Sequence, residues 1–398
     1  MLALRLARGA HPLVLLRRLL VTAAAAGTGF LLLCTLGYAM GHPGAGSVLR
    51  LAWCAAPLAA TVHFAVAVAR TDPATRPRPG LSAVGLGPGR LMLIAAVSTA
   101  VACTLGSMVA LLFFLHLRGD ITGLPFDGAA AELLAADRPL PLAAALTLLA
   151  VVPLTASAAS ALVLRPRTVR PTEEGAGPAD PAAPADPDRP SAPAPAPSGL
   201  PWGVALLAAG LAVETYASRA GDSDGMPLPG GLTESPAGVL AGWALTALGL
   251  ALAGPGLTYL CGHLLQMVRP GAMRLLAGRV LMEEARRIGR PLGVVCAVAS
   301  GAYAAAVISS SGSPALPGTG PLTVLGSLLV AGCAVLTLAT ASVEARQSRA
   351  HTTAALLRLG APASMLRGSA ALRAGALLAV FGPLTWAVAE LAALPLVP

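Results

Sequence analysis

Long apolar runs alternate with short polar stretches along the whole chain. Most runs have about 20 residues, the length at which a helix crosses the hydrocarbon core of a bilayer. The predicted fold class is therefore all-α, a polytopic helical membrane protein with about nine transmembrane helices (eight to ten) in two loosely repeated halves. The predicted spans are 19–41, 51–69, 91–117, 140–164, 201–217, 237–262, 292–311, 321–341 and 371–395.

Two of these runs depart from the apolar pattern. The run at 201–217 is the shortest and contains Glu214. The last run carries Gly382 and Pro383, so a kinked or half-inserted segment remains an alternative there. Glu214 and Glu390 lie near the outer ends of their runs, where we expect each carboxylate to reach water by snorkelling.

Composition narrows the class of protein further. Of 398 residues, 56% are hydrophobic and 11% charged, whereas soluble domains carry about 25% charged residues. This composition excludes a soluble enzyme. The chain has no lysine, and all 27 basic residues are arginine. A Walker A phosphate loop and a Schiff-base lysine are therefore excluded from this chain.

The arginines predict the orientation. With a cytoplasmic N-terminus, 23 arginines lie inside and four outside, the four being Arg50, Arg118, Arg138 and Arg219. Inner loops of membrane proteins are enriched in arginine in this way. The sequence predicts a multi-pass protein of the cell (plasma) membrane with its N-terminus in the cytoplasm. Because this bias accounts for the net charge of +9, we expect no nucleic-acid partner.

A Pro-, Ala- and Asp-rich stretch divides the chain. Residues 165–200 cannot bury a core and are predicted to form a disordered cytoplasmic linker. The remaining chain then comprises a first transmembrane unit at 1–164, two additional transmembrane helices at 201–268 and a second unit at 269–398.

No arrangement of side chains indicates catalysis. All six cysteines fall inside apolar runs without metal-ligand spacing, so neither a metal site nor a cofactor is predicted. The chain has no HExxH motif, no Ser-His-Asp order and no paired intramembrane carboxylates. We therefore expect no enzyme activity. The scarcity of ionisable residues within the spans also disfavours a secondary transporter.

The two units resemble each other. The stretches that begin at Leu81 and Leu356 each give a short apolar segment, then Leu-Gly-(Ala/Pro), arginine and a long helix. The basic stretch near the N-terminus likewise corresponds to the one that begins at Met273, and each leads straight into a span. The two halves are thus predicted to run in the same direction, each opening with a cytoplasmic surface helix.

The stretch SVEARQSRAHTTAALLRLGAPASMLRG, residues 342–368, carries a family resemblance. A charged run followed by a pattern like A-L-L-R-x-L-G-A, here Ala354 to Ala361, is similar to the FtsX-like permease family. Members of that family are the membrane subunits of type VII ABC transporters. The resemblance implies a separate ABC-type ATPase subunit, against which the cytoplasmic segment between the second and third helices of a unit docks.

The resemblance implies the positions that contact the ATPase. A helix over 343–359, stopped by Gly360 and Pro362, would place leucines in a groove of the ATPase and arginines against its acids or anionic lipid. An ordinary positive-inside loop without a partner remains an alternative. The implied ATPase-coupling residues are Glu344, Arg346, Arg349, Leu356, Leu357, Arg358, Leu359, Gly360 and Ala361, and those of the first repeat are Gly85, Leu86, Gly87 and Arg90.

A second charged cluster precedes the seventh span. Glu283 and Glu284 lie three or four residues before Arg286 and Arg287, a spacing at which ion pairs form along one helix. The cluster is interpreted either as an interfacial helix that steadies the start of the span or as a self-neutralised anchor among the lipid headgroups.

The chain also departs from the family pattern. Thr352 or Thr353 stands where members carry an acid, the first repeat has lost most of its charge, and the second unit lacks its last helix. A large extracellular domain is absent from the predicted loops. The predicted function is a permease subunit that couples ATP hydrolysis by the separate ATPase to movement or extraction of a membrane-associated lipid, lipoprotein or peptide.

Other interpretations remain open. A non-transporting, degenerate permease that acts as a membrane scaffold or sensor is the alternative function. The expected partners are membrane lipids, with a homodimer as an open alternative to a single copy of the chain. The lysine-free, Ala-, Gly-, Pro- and Arg-rich composition indicates a GC-rich bacterial genome.

Overall fold

The computed structural model describes residues 12–42, 45–72, 87–121, 128–131, 134, 136–165, 196–219, 225–226, 235–267, 271–310 and 321–393. The helices are α1 (Pro12–Gly41), α2 (Ala45–Trp53), α3 (Ala55–Thr71), α4 (Pro88–Arg118), α5 (Leu142–Leu164), α6 (Gly199–Arg219), α7 (Ala237–Met267), α8 (Ala272–Ser310), α9 (Pro321–Ser348), α10 (Ala350–Arg358) and α11 (Ala363–Ala393). Between α6 and α7, strands β1 (Gly225–Met226) and β2 (Ser235–Pro236) pair antiparallel.

Nine helical segments in these ranges are long and apolar enough to cross a bilayer. They correspond one by one to the nine predicted spans; the second includes the end of α2, and the short helix α10 lies outside them. The prediction of an all-α, polytopic membrane protein is confirmed. We call the membrane face at which α1 begins the amino-terminal face, and the other the opposite face.

Several helices extend beyond the predicted spans. The sequence predicts that the seventh span begins at 292, but α8 is one helix of 39 residues from Ala272 to Ser310 that continues through Pro291. The last predicted span is also part of one continuous helix through Pro383, α11. A helix that satisfies its own backbone hydrogen bonds need not end where the side chains become polar. Of the predicted linker, 166–195 lie outside the described residues.

Helices α1, α3, α4 and α5 pack together in the first half. Their shared core includes Leu31, Phe64 and Val152, all buried. Inside it the hydroxyls of Thr28 and Thr61 hydrogen-bond at 2.8 Å, and both side chains are fully buried. A hydrogen bond between two spans holds them in one register because lipid offers no competing partner.

Glycines bring the helices of the second half close together. A β-carbon at Gly242 of α7 would lie 2.8 Å from the carbonyl oxygen of Gly210 in α6. A β-carbon at Gly289 of α8 would lie 2.5 Å from the Cα of Pro255 in α7. Small residues at such crossings allow backbone-to-backbone packing, the main source of helix association in lipid. Helix α7 is thereby held between α6 and α8, and α11 packs on α8.

Helix α9 connects the two halves. It follows α8 in the chain but packs against α3 and α1 as well as α8. The Thr61 hydroxyl and the Cys333 thiol are 3.9 Å apart. A β-carbon at Gly27 would lie 2.6 Å from a methyl carbon of Leu329. A displacement of α9 would therefore disturb its contacts with α1 and α3 in the first half.

Glu214 does not reach water, contrary to the prediction from its place near a helix end. Its side chain is fully buried on α6, facing α7. There the indole nitrogen of Trp243 donates a hydrogen bond to its Oε1. The close approach of α6 and α7 leaves this carboxyl enclosed, so a partner on the neighbouring helix replaces hydration.

We expect Glu214→Ala to destabilise the protein by about 1 kcal/mol, because the indole N–H of Trp243 would lose its acceptor inside the membrane. Glu214→Gln keeps an oxygen at that place and should stay closer to the wild type. Thermal unfolding of the detergent-solubilised protein measures both variants. Equal losses in the alanine and glutamine variants would contradict a role for this hydrogen bond.

Candidate functional site

The charged segment after the eighth span forms two helices. The predicted helix over 343–359 is divided at Arg349, so Glu344 and Arg346 belong to the last turns of α9 while α10 begins at Ala350. Arg349 turns its guanidinium back, and its Nε donates to the carbonyl oxygen of Ala345 at 2.9 Å. This bond satisfies one of the carbonyls that a helix end leaves unpaired.

Helix α10 ends as the sequence predicts. Gly360 has φ +87°, a left-handed conformation that glycine adopts without strain. Its amide donates to the carbonyl oxygen of Leu357, and the amide of Ala361 donates to that of Leu356. These two bonds are those of a Schellman motif, which stops a helix sharply. The chain then turns directly into α11.

The leucines of α10 do not share one face. Leu356 is half-buried and lies over a cavity between α10 and the spans. Leu357 and Leu359 point outwards, with exposed fractions of 47% and 84%, and Arg358 between them is exposed as well. Leu356 thus faces the cavity, and the prediction that the three leucines enter a partner's groove stays a prediction. The outward surface consists of Leu357, Arg358 and Leu359, which we call the α10 tip.

An ion pair fixes the junction of α9 and α10 to α8. The Nε of Arg349 lies 2.7 Å from Oε1 of Glu284, whose side chain is only 9% exposed. Because that N–H is already donated to Ala345, the contact with Glu284 is electrostatic rather than a second hydrogen bond. The spacing along the sequence predicts an ion pair between Glu284 and Arg287, three residues further along the same helix. The structure places Glu284 against a residue 65 positions away, and Glu283, Arg286 and Arg287 are exposed.

The first half has a matching ion pair with the charges exchanged. Arg18 near the start of α1 donates to Asp72, directly after α3, at 2.6 Å. In each of the two units the first span is thus joined, at the amino-terminal face, to the end of the second span. We call the two pairs the Arg18–Asp72 clamp and the Arg349–Glu284 clamp. No sequence signal singles out Arg18 and Asp72, because the two residues lie 54 positions apart.

The first-repeat residues are only partly described. Gly87 immediately precedes α4, and Arg90 is an exposed residue of its first turn. Gly85 and Leu86 lie outside the described residues. A first-half equivalent of α10 therefore stays a prediction from the sequence.

We expect a charge exchange across the second clamp to be tolerated better than either single reversal. Arg349→Glu or Glu284→Arg alone brings like charges together and should cost about 1–2 kcal/mol. The double variant restores attraction and should recover most of that loss. Thermal unfolding of the three variants in detergent gives the coupling energy. Additive losses in the double variant would show that the two side chains do not interact.

No metal centre is evident in the part of the chain that the structure describes, where no three His, Cys, Asp or Glu side chains are grouped to bind an ion. Comparison with known proteins gives no matching family model, no matching curated protein and no matching solved structure.

Proposed function

We propose that this chain is the permease subunit of an FtsX-like ABC transporter, and that a separate ATPase subunit docks on the α10 tip. The observation that carries the proposal is the exposure of Leu357 and Leu359 at the end of a short helix that lies outside the spans. Apolar side chains displayed together beyond the bilayer are typical of a protein-binding surface.

The arginine distribution supports a cytoplasmic location for this tip. Of 27 arginines, 23 fall in loops on the side of the N-terminus. The positive-inside rule then makes the amino-terminal face cytoplasmic, in a cell membrane, where ATP is available to the partner. The lysine-free chain has no Walker A loop of its own, so nucleotide hydrolysis belongs to the second subunit.

The packing around α10 suggests how movement would be transmitted. A partner that pulls on the α10 tip acts on Arg349, which links α10 to α9 and contacts Glu284 of α8 at 2.7 Å. Helix α9 in turn packs against α3 and α1. One displacement at the tip would thus reach both halves of the membrane domain through packed helices.

The family resemblance and the packing of the spans support the proposed substrate class. The described glycine crossings leave little room for a polar channel between α6, α7 and α8. This arrangement favours movement or extraction of a membrane-associated lipid, lipoprotein or peptide. Such work requires relative motion of helices rather than an aqueous pore.

Site-specific photo-crosslinking tests the proposal. A photoreactive amino acid replaces Leu359 at the α10 tip and, as a control, Leu13, which is 51% exposed near the start of α1 at the same face. Irradiation of native membranes should give an ATPase adduct from position 359 and none from position 13. Absence of an ATPase adduct from position 359 would favour the scaffold or sensor, a degenerate permease without a motor.

A further inference from the structure

An apolar cavity of about 410 Å³ lies beneath α10 at the amino-terminal face. One wall is formed by the first turns of α8, with Leu275 and Leu276, and another by the start of α11, with Met365. Leu356 of α10 covers it, and Gln266 near the end of α7 lines its edge. The cavity is thus placed where three spans begin or end, at the boundary of the bilayer.

We propose that this cavity binds one anionic phospholipid, with an acyl chain among the leucines and the phosphate against Arg279. Leu275 is 44% exposed, so the apolar lining is accessible from outside the protein. Arg279 is the charged residue of the lining, and it is exposed. Basic pockets between spans at the cytoplasmic surface bind the headgroups of anionic lipids. The volume lies within the range of small-molecule sites, about 300–1,000 Å³.

The shape of α10 argues for a lipid rather than a protein in this cavity. Leu356 points inwards over the cavity, whereas Leu357 and Leu359 point away from it. A protein docked on the α10 tip would therefore leave the cavity unfilled. The side chain of Met273 also packs near Gly368. A β-carbon added at Gly368 would lie 2.9 Å from the sulfur of Met273. This contact joins α8 and α11 beside the cavity.

The consequence is a lipid that lies between the α10 tip and the membrane domain. Its acyl chain would fill the cavity beneath Leu356 and would thereby hold α10 in its present position. This inference does not depend on the ATPase, because binding requires only the chain and the bilayer.

Photo-crosslinking from lipid tests the inference. The purified full chain is reconstituted in nanodiscs containing phosphatidylglycerol or phosphatidylcholine with a diazirine on the acyl chain, and labelled peptides are mapped by mass spectrometry. We expect phosphatidylglycerol to label the segments around Leu276 and Met365 in preference to phosphatidylcholine. Arg279→Gln should reduce this labelling about tenfold, the effect of one lost charge-assisted hydrogen bond.

Two further variants make the result decisive. Arg290→Gln removes the same charge from an exposed position of the same helix, outside both the cavity and the charged cluster at 283–287, and should leave labelling unchanged. Ala272→Phe adds a ring to the cavity lining and should block labelling by either lipid. Circular dichroism and gel filtration establish that each variant is folded. Equal labelling by the two lipids, an equal loss in Arg290→Gln, or labelling only outside the cavity would overturn the inference.

Discussion

Leu359→Glu should release the proposed ATPase partner from the membrane protein while leaving the spans intact. The side chain is 84% exposed, so the substitution removes no packing within the chain. Burial of a leucine in a partner's groove is worth about 1.5–3 kcal/mol, and loss of that energy weakens binding about 10- to 100-fold. Affinity purification of the tagged chain, followed by quantification of the ATPase per permease, measures the effect.

The matched control at this position is Leu359→Met, which keeps an apolar side chain of similar size. It should retain the ATPase at nearly the wild-type ratio. Retention of the ATPase by the glutamate variant would show that the α10 tip is not its docking surface, whatever the chain binds elsewhere.

Gly289→Val should strongly destabilise the second half, because it inserts a branched side chain where α7 and α8 touch backbone to backbone. Already the first added carbon would lie 2.5 Å from the Cα of Pro255 and 2.8 Å from the carbonyl carbon of Gly254. Both neighbours are backbone atoms that cannot rotate away, so α7 and α8 must separate. We expect a loss of about 3 kcal/mol, at the upper end for overpacking, seen as a lower midpoint of thermal unfolding.

Gly301→Val provides the comparison within the same helix. A β-carbon there meets nothing within 4 Å, and the residue is exposed. Since valine is no worse than glycine as a helix former, this variant should unfold at or above the wild-type midpoint. Equal losses at both positions would mean that the close crossing of α7 and α8 does not decide the effect.

The span pattern is readable from the sequence because lipid imposes a length and a polarity on every crossing helix. Helix ends are harder to predict from the sequence, and α8 begins 20 residues before the predicted span. Arginine side chains do not end a helix, because their apolar methylene groups can lie along its surface while the charged group reaches water. The prediction for Glu214 is wrong for a related reason. Its distance to the helix end suggests access to water, but the glycine crossing of α6 and α7 encloses it.

The candidate site is predictable only in its local part. The sequence predicts that Gly360 stops α10, and the two backbone bonds of the Schellman motif follow from local sequence. The division at Arg349 and the inward turn of Leu356 depend on the tertiary structure, since Arg349 meets Glu284 of α8 and Leu356 lines the cavity between α8 and α11. Likewise, no local spacing reveals that Arg349 meets Glu284 or that Arg18 meets Asp72, because each pair joins residues more than 50 positions apart.

Coupling is tested most directly by measuring ATP turnover of the ATPase that photo-crosslinking identifies. This ATPase is purified without a crosslink and reconstituted with this chain in lipid nanodiscs. If the α10 tip transmits movement between the two subunits, the wild-type chain will change the turnover from that of the ATPase alone. The Leu359→Glu variant will then give the turnover of the ATPase alone, and Leu359→Met that of the wild type. The same turnover with the wild-type chain, with Leu359→Glu and without any chain would contradict the proposed permease.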